Sequence, residues 1–237
     1  MRKIDLHIHT VHSDSPLLVA DVARRARREK VVAGICDHLS PYHKMFEAAA
    51  FDDYVLDVRG HGLLLGAEYC LGETIPVDDG RLAELDYLMG GLHAVTVSNK
   101  KYFFWGPEFP QDEDAFVEAY VGTTLAALAE DPLDVLAHPT YLPAPLNPRY
   151  DEIWNERCCG EMWAAAAEAG VAVEISGRWM VPGPRQIELA LELGLMFAVG
   201  SDAHRRDELF AVEYPLRMID ELGIPEDRIF LPQRKKT

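Results

Sequence analysis

Asp5-Leu6-His7-Ile8-His9-Thr10-Val11-His12-Ser13-Asp14 is where the chain's chemistry begins. Arg2 to Leu6 reads as a strand entering a core, so His7 and His9, two positions apart, point the same way at its end. Their Cα atoms are then about 6.6 Å apart, at roughly 3.3 Å per residue, which lets two imidazoles converge on one metal ion. Asp14 follows in the loop as a third ligand. Short motifs of this kind have many accidental matches, so the pair counts only if the rest of the chain supplies partners.

Outward from that strand the chain alternates. Short apolar runs bounded by turns or polar residues occur at 3–6, 31–36, 62–67, 86–92, 133–137, 171–176 and 195–200. Between several of them lie stretches with helical spacing. The first, 16–30, opens after Ser15 as N-cap with Pro16 at the first helical position. The second, 112–130, carries an apolar stripe of Phe116, Tyr120, Leu125 and Leu128. Three more, 153–169, 184–193 and 207–222, stop at Gly170, Gly194 and Gly223. Segments 71–81 and 99–111 read as loops. Seven strands with helices between them predict a parallel α/β barrel. No linker or repeat divides the chain, so residues 1–237 read as one domain, with a tail outside the core beginning near residue 232.

A barrel places functional residues at the C-terminal ends of its strands. The sequence does this at six of the seven. Strand one ends in His7 and His9, strand two in Asp37-His38 and strand three in Glu68. Strand four ends in His93, strand five in His138-Pro139 and strand seven in Asp202-Ala203-His204. His12, His43 and His61 fall elsewhere. Nine candidate ligands, His7, His9, Asp14, His38, Glu68, His93, His138, Asp202 and His204, are too many for one ion; at about four ligands each, two or three ions fit. Imidazoles and carboxylates without cysteine suit Zn, Mn or Fe.

Composition narrows the partners. The net charge of −16 disfavours nucleic acid, and the basic runs Arg24-Arg25-Ala26-Arg27-Arg28 and Arg234-Lys235-Lys236 read as a solvated helix face and a tail. No apolar run approaches the roughly 18 residues of a membrane span. The N-terminus lacks a signal-peptide pattern, which predicts a cytoplasmic protein. Cys36, Cys70, Cys158 and Cys159 read as reduced thiols, the first two buried on strands.

Taken together, Asp5-x-His7-x-His9-Thr10 with Ser13-Asp14, Asp37-His38, Gly66-x-Glu68, His93, His138-Pro139 and Gly200-Ser201-Asp202-Ala203-His204 resemble the PHP family, named for polymerase and histidinol phosphatase. The resemblance runs from residue 1 to about 231, in the family's order. It implies a distorted seven-stranded (β/α) TIM-like barrel holding two or three metals, and phosphoester hydrolysis. By match of motif, His7, His9, Glu68 and Asp202 would hold one metal. A bridging Glu68 with His93 and His138 would hold a second, and Asp14, His38 and His204 a third. Glu68, Asp202 and His204 are then the expected catalytic residues. A water bridging two divalent ions would lose its proton near neutral pH and attack phosphorus in line.

Strand six ends differently, in Glu174-Ile175-Ser176-Gly177-Arg178, where Gly177 would let the turn bring Arg178 over the barrel mouth to clamp a phosphate. Lys100 is a weaker phosphate contact, and His12 could pass a proton to the leaving group. Tyr102-Phe103-Phe104-Trp105 could wall the pocket or make an oligomer contact. The leading expectation is a phosphatase acting on a small-molecule monoester. Histidinol phosphatase is one specific case, whose branch Asp86-Tyr87-Leu88-Met89-Gly90-Gly91-Leu92-His93 resembles, whereas His138-Pro139 and the short loops resemble generic members as much. A nuclease or phosphodiesterase on oligonucleotide ends ranks second, and a non-catalytic metal-stabilised module last. The oligomeric state is open.

Overall fold

A parallel strand flanked by helices can bury apolar side chains on both faces, and the seven parallel strands here are buried at nearly every position. The computed structural model describes residues 3–43, 45 and 47–235. Arg2 of the expected first strand and Lys236 of the basic tail lie outside them. Ten strands form: β1 (Ile4–Asp5), β2 (Val32–Ile35), β3 (His38–Leu39), β4 (Leu64–Cys70), β5 (Tyr87–Gly91), β6 (Ala94–Val97), β7 (Lys100–Phe103), β8 (Val135–Ala137), β9 (Ala172–Ser176) and β10 (Phe197–Gly200). Seven of them lie side by side in the order β1-β2-β4-β5-β8-β9-β10, all parallel, and β3 extends the β2 side by pairing with β4. The seven are those expected from the apolar runs.

The sheet curls until its edges meet. Leu6 N donates to Val199 O at 2.8 Å, Ala203 N to His7 O at 3.2 Å and His9 N to Ala203 O at 2.9 Å. Asp5, fully buried, fastens the seam by accepting from Ser201 N (2.9 Å), Ser201 Oγ (2.6 Å) and Phe210 N (3.2 Å). Inside, the Tyr87 hydroxyl reaches across to donate to Leu6 O at 2.5 Å. The result is a nearly closed α/β barrel of seven parallel strands.

Eight α-helices among the described residues surround it: α1 (Val19–Glu29), α2 (Ala48–His61), α3 (Asp79–Leu82), α4 (Glu113–Glu130), α5 (Tyr150–Ile153), α6 (Glu156–Ala169), α7 (Pro184–Glu192) and α8 (Glu213–Glu221). α1 packs on β2, α2 on β4, and α6 and α8 on β9. Several boundaries differ from expectation. α1 starts at Val19 and not directly after Ser15, whose hydroxyl donates to His204 O at 2.8 Å and accepts from Leu17 N at 3.1 Å. The 153–169 stretch is interrupted at Trp154, and Asn155 caps a fresh helix by accepting from Arg157 N and Cys158 N. The 207–222 stretch is helical only from Glu213. In the α4 stripe Thr124, not Leu125, is buried, its hydroxyl donating to Tyr120 O. Segments 71–81 and 99–111 are not pure loop: the first enters α3, and the second holds β7, which pairs antiparallel with β6. All four cysteines are free and buried. No helix among the described residues is long and apolar enough to cross a membrane.

Candidate metal centre

The strand ends converge on one mouth, and the side chains expected there meet in it. His7 and His9 leave β1 with their rings 5.0 Å apart. His7 Nε2 lies 3.3 Å from Glu68 Oε2 and 3.8 Å from Asp202 Oδ1, and His9 Nε2 lies 3.1 Å from Asp202 Oδ1. The other Glu68 oxygen, Oε1, lies 2.9 Å from His138 Nε2 and 3.3 Å from His93 Nε2. Glu68 thus stands between two groups of imidazoles. On the outer side, Asp14 Oδ2 is 3.3 Å from His204 Nε2 and 3.7 Å from His38 Nε2.

Three sets have ligand atoms close enough to share an ion: His7, His9 and Glu68; His38, Glu68 and His93; and His9, Asp14, His38 and His204. The sets overlap the expected partition without reproducing it. His9 adds itself to the Asp14 set, and His38 reaches Glu68 through Nδ1 at 3.0 Å.

Whether these residues suit an ion is decided by their unmet polar atoms. His7 Nε2, both ring nitrogens of His9, and Glu68 Oε2 are buried with no hydrogen-bond partner. Buried polar atoms are rarely left so, and apart from the one His9 nitrogen that keeps its proton these atoms can offer a lone pair to a divalent cation. The donor set, imidazole nitrogen and carboxylate oxygen, suits borderline metals.

A second layer fixes these ligands. Glu174, absent from the expected set, is fully buried; it accepts from His7 Nδ1 at 2.8 Å and from His138 N at 2.5 Å. That bond places the His7 proton on Nδ1 and turns the Nε2 lone pair inward. A lone carboxylate inside the apolar run Val173-Glu174-Ile175 was the signal that could have found it. Trp179 Nε1 donates to Asp202 Oδ2 at 2.7 Å, leaving Oδ1 for the imidazoles. Asp37, likewise buried, accepts from Thr10 N, Thr10 Oγ1 and Ser13 Oγ and so shapes the loop that carries Asp14. His138 and Asp202 hold φ of 30° and 52°, in the left-handed region that side chains avoid, a strain typical of functional positions.

Charge and burial divide the protons among the side chains. Without a cation, burial pulls His7 down but Glu174, Glu68 and Asp202 together hold it well above the ordinary imidazole value, so a metal taking the Nε2 lone pair would displace the proton there. Burial, with His38, His204 and His7 nearby, takes His9 down to about 3. Burial would raise Glu68, yet His93, His7 and His38 hold it well below the carboxylate range.

His43 was not expected here. Its ring stacks on His38 at 4.3 Å, and its Nε2 lies 4.0 Å from Asp14 Oδ2. It reaches the mouth through the turn after β3, which no spacing rule announces. Arg178 lies at the mouth as expected. Its Nη1 donates to Asp202 O at 3.1 Å and is 2.8 Å from His204 Nδ1, while Glu208 stands 3.7 Å away. Gly177 is needed there because a Cβ would sit 2.1 Å from Ala211 O. Lys100 and His12 depart from expectation: Lys100 pairs with Glu108 at 2.5 Å on the β6–β7 hairpin, and His12 Nε2 faces Asp57 at 2.9 Å beside Tyr54. Neither lines the cavity of about 780 Å³ above the centre. Phe103, Phe104 and Trp105 do line it.

No family model matches the chain. A protein of Edwardsiella ictaluri named a probable phosphatase is 26% identical over 249 positions, covering 97% of this chain and 89% of its own. One of Serratia proteamaculans with the same name is 28% identical over the same shares. Among solved structures, a histidinol phosphate phosphatase of Lactococcus lactis, crystallised with zinc, L-histidinol and phosphate, superposes with a TM-score of 0.69 at 15% identity, covering 94% of this chain and 95% of that one. A putative histidinol phosphatase of Listeria monocytogenes gives 0.70 at 14%, covering 87% and 97%. The barrel is therefore one that histidinol phosphatases share, and over nearly its whole length the sequence is similar to proteins named phosphatases.

Proposed function

We propose that the chain is a metal-dependent phosphatase of the PHP type, a single catalytic domain that hydrolyses a small-molecule phosphate monoester. The observation that carries this is the convergence of imidazoles on Glu68, with His7, His9 and Glu68 atoms buried and unpartnered. The similarity to proteins named phosphatases supports it.

His7, His9, Glu68 and Asp202 would hold one ion, Glu68, His93 and His138 a second, and Asp14, His38 and His204 a third. Bound there, two or three ions of zinc, manganese or iron would supply Lewis acidity toward phosphoryl oxygen and lower the pKa of water. Glu68 offers one oxygen to each side of the centre. As water attacks phosphorus in line and the bond from phosphorus to the alcohol oxygen breaks, Asp202 Oδ1, its partner Oδ2 being held by Trp179, would take the water's proton and return it to the departing alcohol oxygen. His204 is held with Nδ1 3.0 Å from Asp202 O and 2.8 Å from Arg178 Nη1, and its Nε2 faces Asp14 Oδ2 at 3.3 Å. Arg178 supplies positive charge at the mouth for a phosphoryl oxygen.

Elemental analysis of the purified protein, together with turnover of p-nitrophenyl phosphate, its bis ester, histidinol phosphate and oligonucleotides, tests the reading. Two or three metals per chain with monoester turnover, abolished by His9→Ala or Glu68→Ala, is the expected result. Folded protein that takes up no metal and releases no phosphate after reconstitution would overturn it, and preferred turnover of the bis ester or oligonucleotides would move the activity to a diesterase or nuclease.

A further inference from the structure

A second cavity, of about 590 Å³, lies outside the barrel in the groove between the α5–α6 junction and α7. Trp154 and Gln186, 1% and 4% exposed, belong to its lining. Each carries a polar atom, Trp154 Nε1 and Gln186 Oε1, that is buried with no hydrogen-bond partner. The nearby Trp163 shows the ordinary case, its Nε1 donating to Gln186 O at 3.0 Å. Gln186 Nε2 donates to Trp154 O at 2.7 Å, and because the amide turned the other way would set two oxygens face to face, Oε1 is the bare atom. The lining thus holds one unmet donor and one unmet acceptor, which buried groups rarely are.

The charges around them are ordered. α6 and α7, which pack together, each return the chain between neighbouring parallel strands, β8 to β9 and β9 to β10, so they run the same way with their N-termini side by side. Arg157 and Arg185 are each the second residue of their helix, and both line the cavity. Along α7, Arg185, Glu188, Leu189 and Glu192 share one face, at i, i+3, i+4 and i+7. Positive groups therefore gather at the helix starts, where the helix dipoles also favour an anion, and carboxylates follow one and two turns on. Asp151 and Glu156 complete the charged lining, which makes four carboxylates against two arginines and disfavours a simple anion. Among the described residues, no ion pair or hydrogen bond engages the side chains of Arg157, Arg185, Glu188 or Glu192.

We propose that this groove binds a small zwitterion of the α-amino-acid kind. Its carboxylate meets the helix starts, with Arg157, Arg185 and Trp154 Nε1 as donors, and guanidinium groups suit a carboxylate because they can bond both of its oxygens. Its ammonium meets Glu188 and Gln186 Oε1, with Leu189 against the side chain. The site lies apart from the candidate metal centre and is independent of the phosphatase reading.

Scanning fluorimetry of the metal-loaded protein with each protein-forming L-amino acid in turn tests the site without turnover. At about 10 mM, at least one should raise Tm by about 2 °C or more, whereas acetate and ethylamine should not. Calorimetric titration with that amino acid should give a Kd about tenfold or more weaker in Arg157→Gln and in Arg185→Gln, surface substitutions that leave the unliganded Tm within about 1 °C. Trp154→Phe, which keeps a ring but removes the buried donor, should weaken binding about three- to tenfold; if that variant does not fold, the arginine variants decide alone. Amino acids that chelate metal at the barrel mouth are told apart because their effect survives both arginine substitutions. Stabilisation by no amino acid, equal stabilisation by acetate or by ethylamine, or a Kd that neither arginine substitution changes would overturn the proposal.

Discussion

Replacing Gly91 by alanine probes the centre with a single methyl group. Gly91 ends β5, and a Cβ there would lie 2.2 Å from Glu68 Oε1, 2.8 Å from His93 Cε1 and 3.1 Å from His138 Cε1. Carbon contacts settle near about 3.5 Å, so the carboxylate must retreat by about 1 Å. Its other oxygen blocks the way, 3.0 Å from His38 Nδ1 and 3.3 Å from His7 Nε2. Overpacking of this kind costs about 1–3 kcal/mol, less than the 5–15 kcal/mol typical of a folded domain. The variant should therefore fold, with a Tm about 2–10 °C lower. A shift of about 1 Å in a group that positions the reacting atoms costs about 100-fold in rate. The expected Gly91→Ala protein has native circular dichroism, reduced metal content by elemental analysis and about 1% of parental turnover of p-nitrophenyl phosphate. Parental metal content and turnover within about threefold would show that Glu68 is not the hub of the centre.

Glu174→Gln keeps the shape but removes the charge that orients His7, and should weaken metal binding about 10- to 100-fold in competition with a chromophoric chelator; unchanged affinity would refute that role. Arg178→Ala should raise KM for any monoester about tenfold or more with a smaller change in kcat, and equal KM values would remove Arg178 from phosphate binding. Stability should depend on pH in opposite senses with and without metal. In metal-stripped protein burial pulls His93 down from 6.5, but Glu68 carries it up to about 10. A raised imidazole pKa stabilises the fold fully below the unfolded value and ceases to do so as pH climbs through the folded one. Melting of the stripped protein should then fall between pH 6.5 and 10, whereas metal uptake, which needs neutral imidazoles, should release protons and strengthen over the same rise. A stripped protein whose Tm climbs with pH across that interval would contradict the His93–Glu68 pairing.

The barrel was legible because its seven strands are buried on both faces and so read as unbroken apolar runs, and because carboxylates and histidines punctuate their ends. The hairpin was missed although its turn carries a signal: Ser98 and Asn99 both take positive φ, 50° and 63°, as a tight two-residue turn requires, after the alternating Val95-Thr96-Val97. α2 was missed because the three alanines and two aspartates at its start mask the face of Phe51, Tyr54, Val55 and Val58 that packs on the barrel. Side chains placed by loops were the hardest to foresee. His43 joins the centre and His12 leaves it through turns whose course depends on tertiary contacts, whereas His7, His9 and His138 are delivered by strands with a fixed period.

The seam between β1 and β10 also has a temporal meaning. Asp5 and Ser201, which lock it, are 196 positions apart, so during synthesis His7 and His9 emerge long before Asp202 and His204 exist to face them. Closing so distant a contact is slow relative to local structure. The centre is thus among the last features the polypeptide can complete, and a chain cut short before residue 200 would carry half of the candidate metal centre and an open barrel edge.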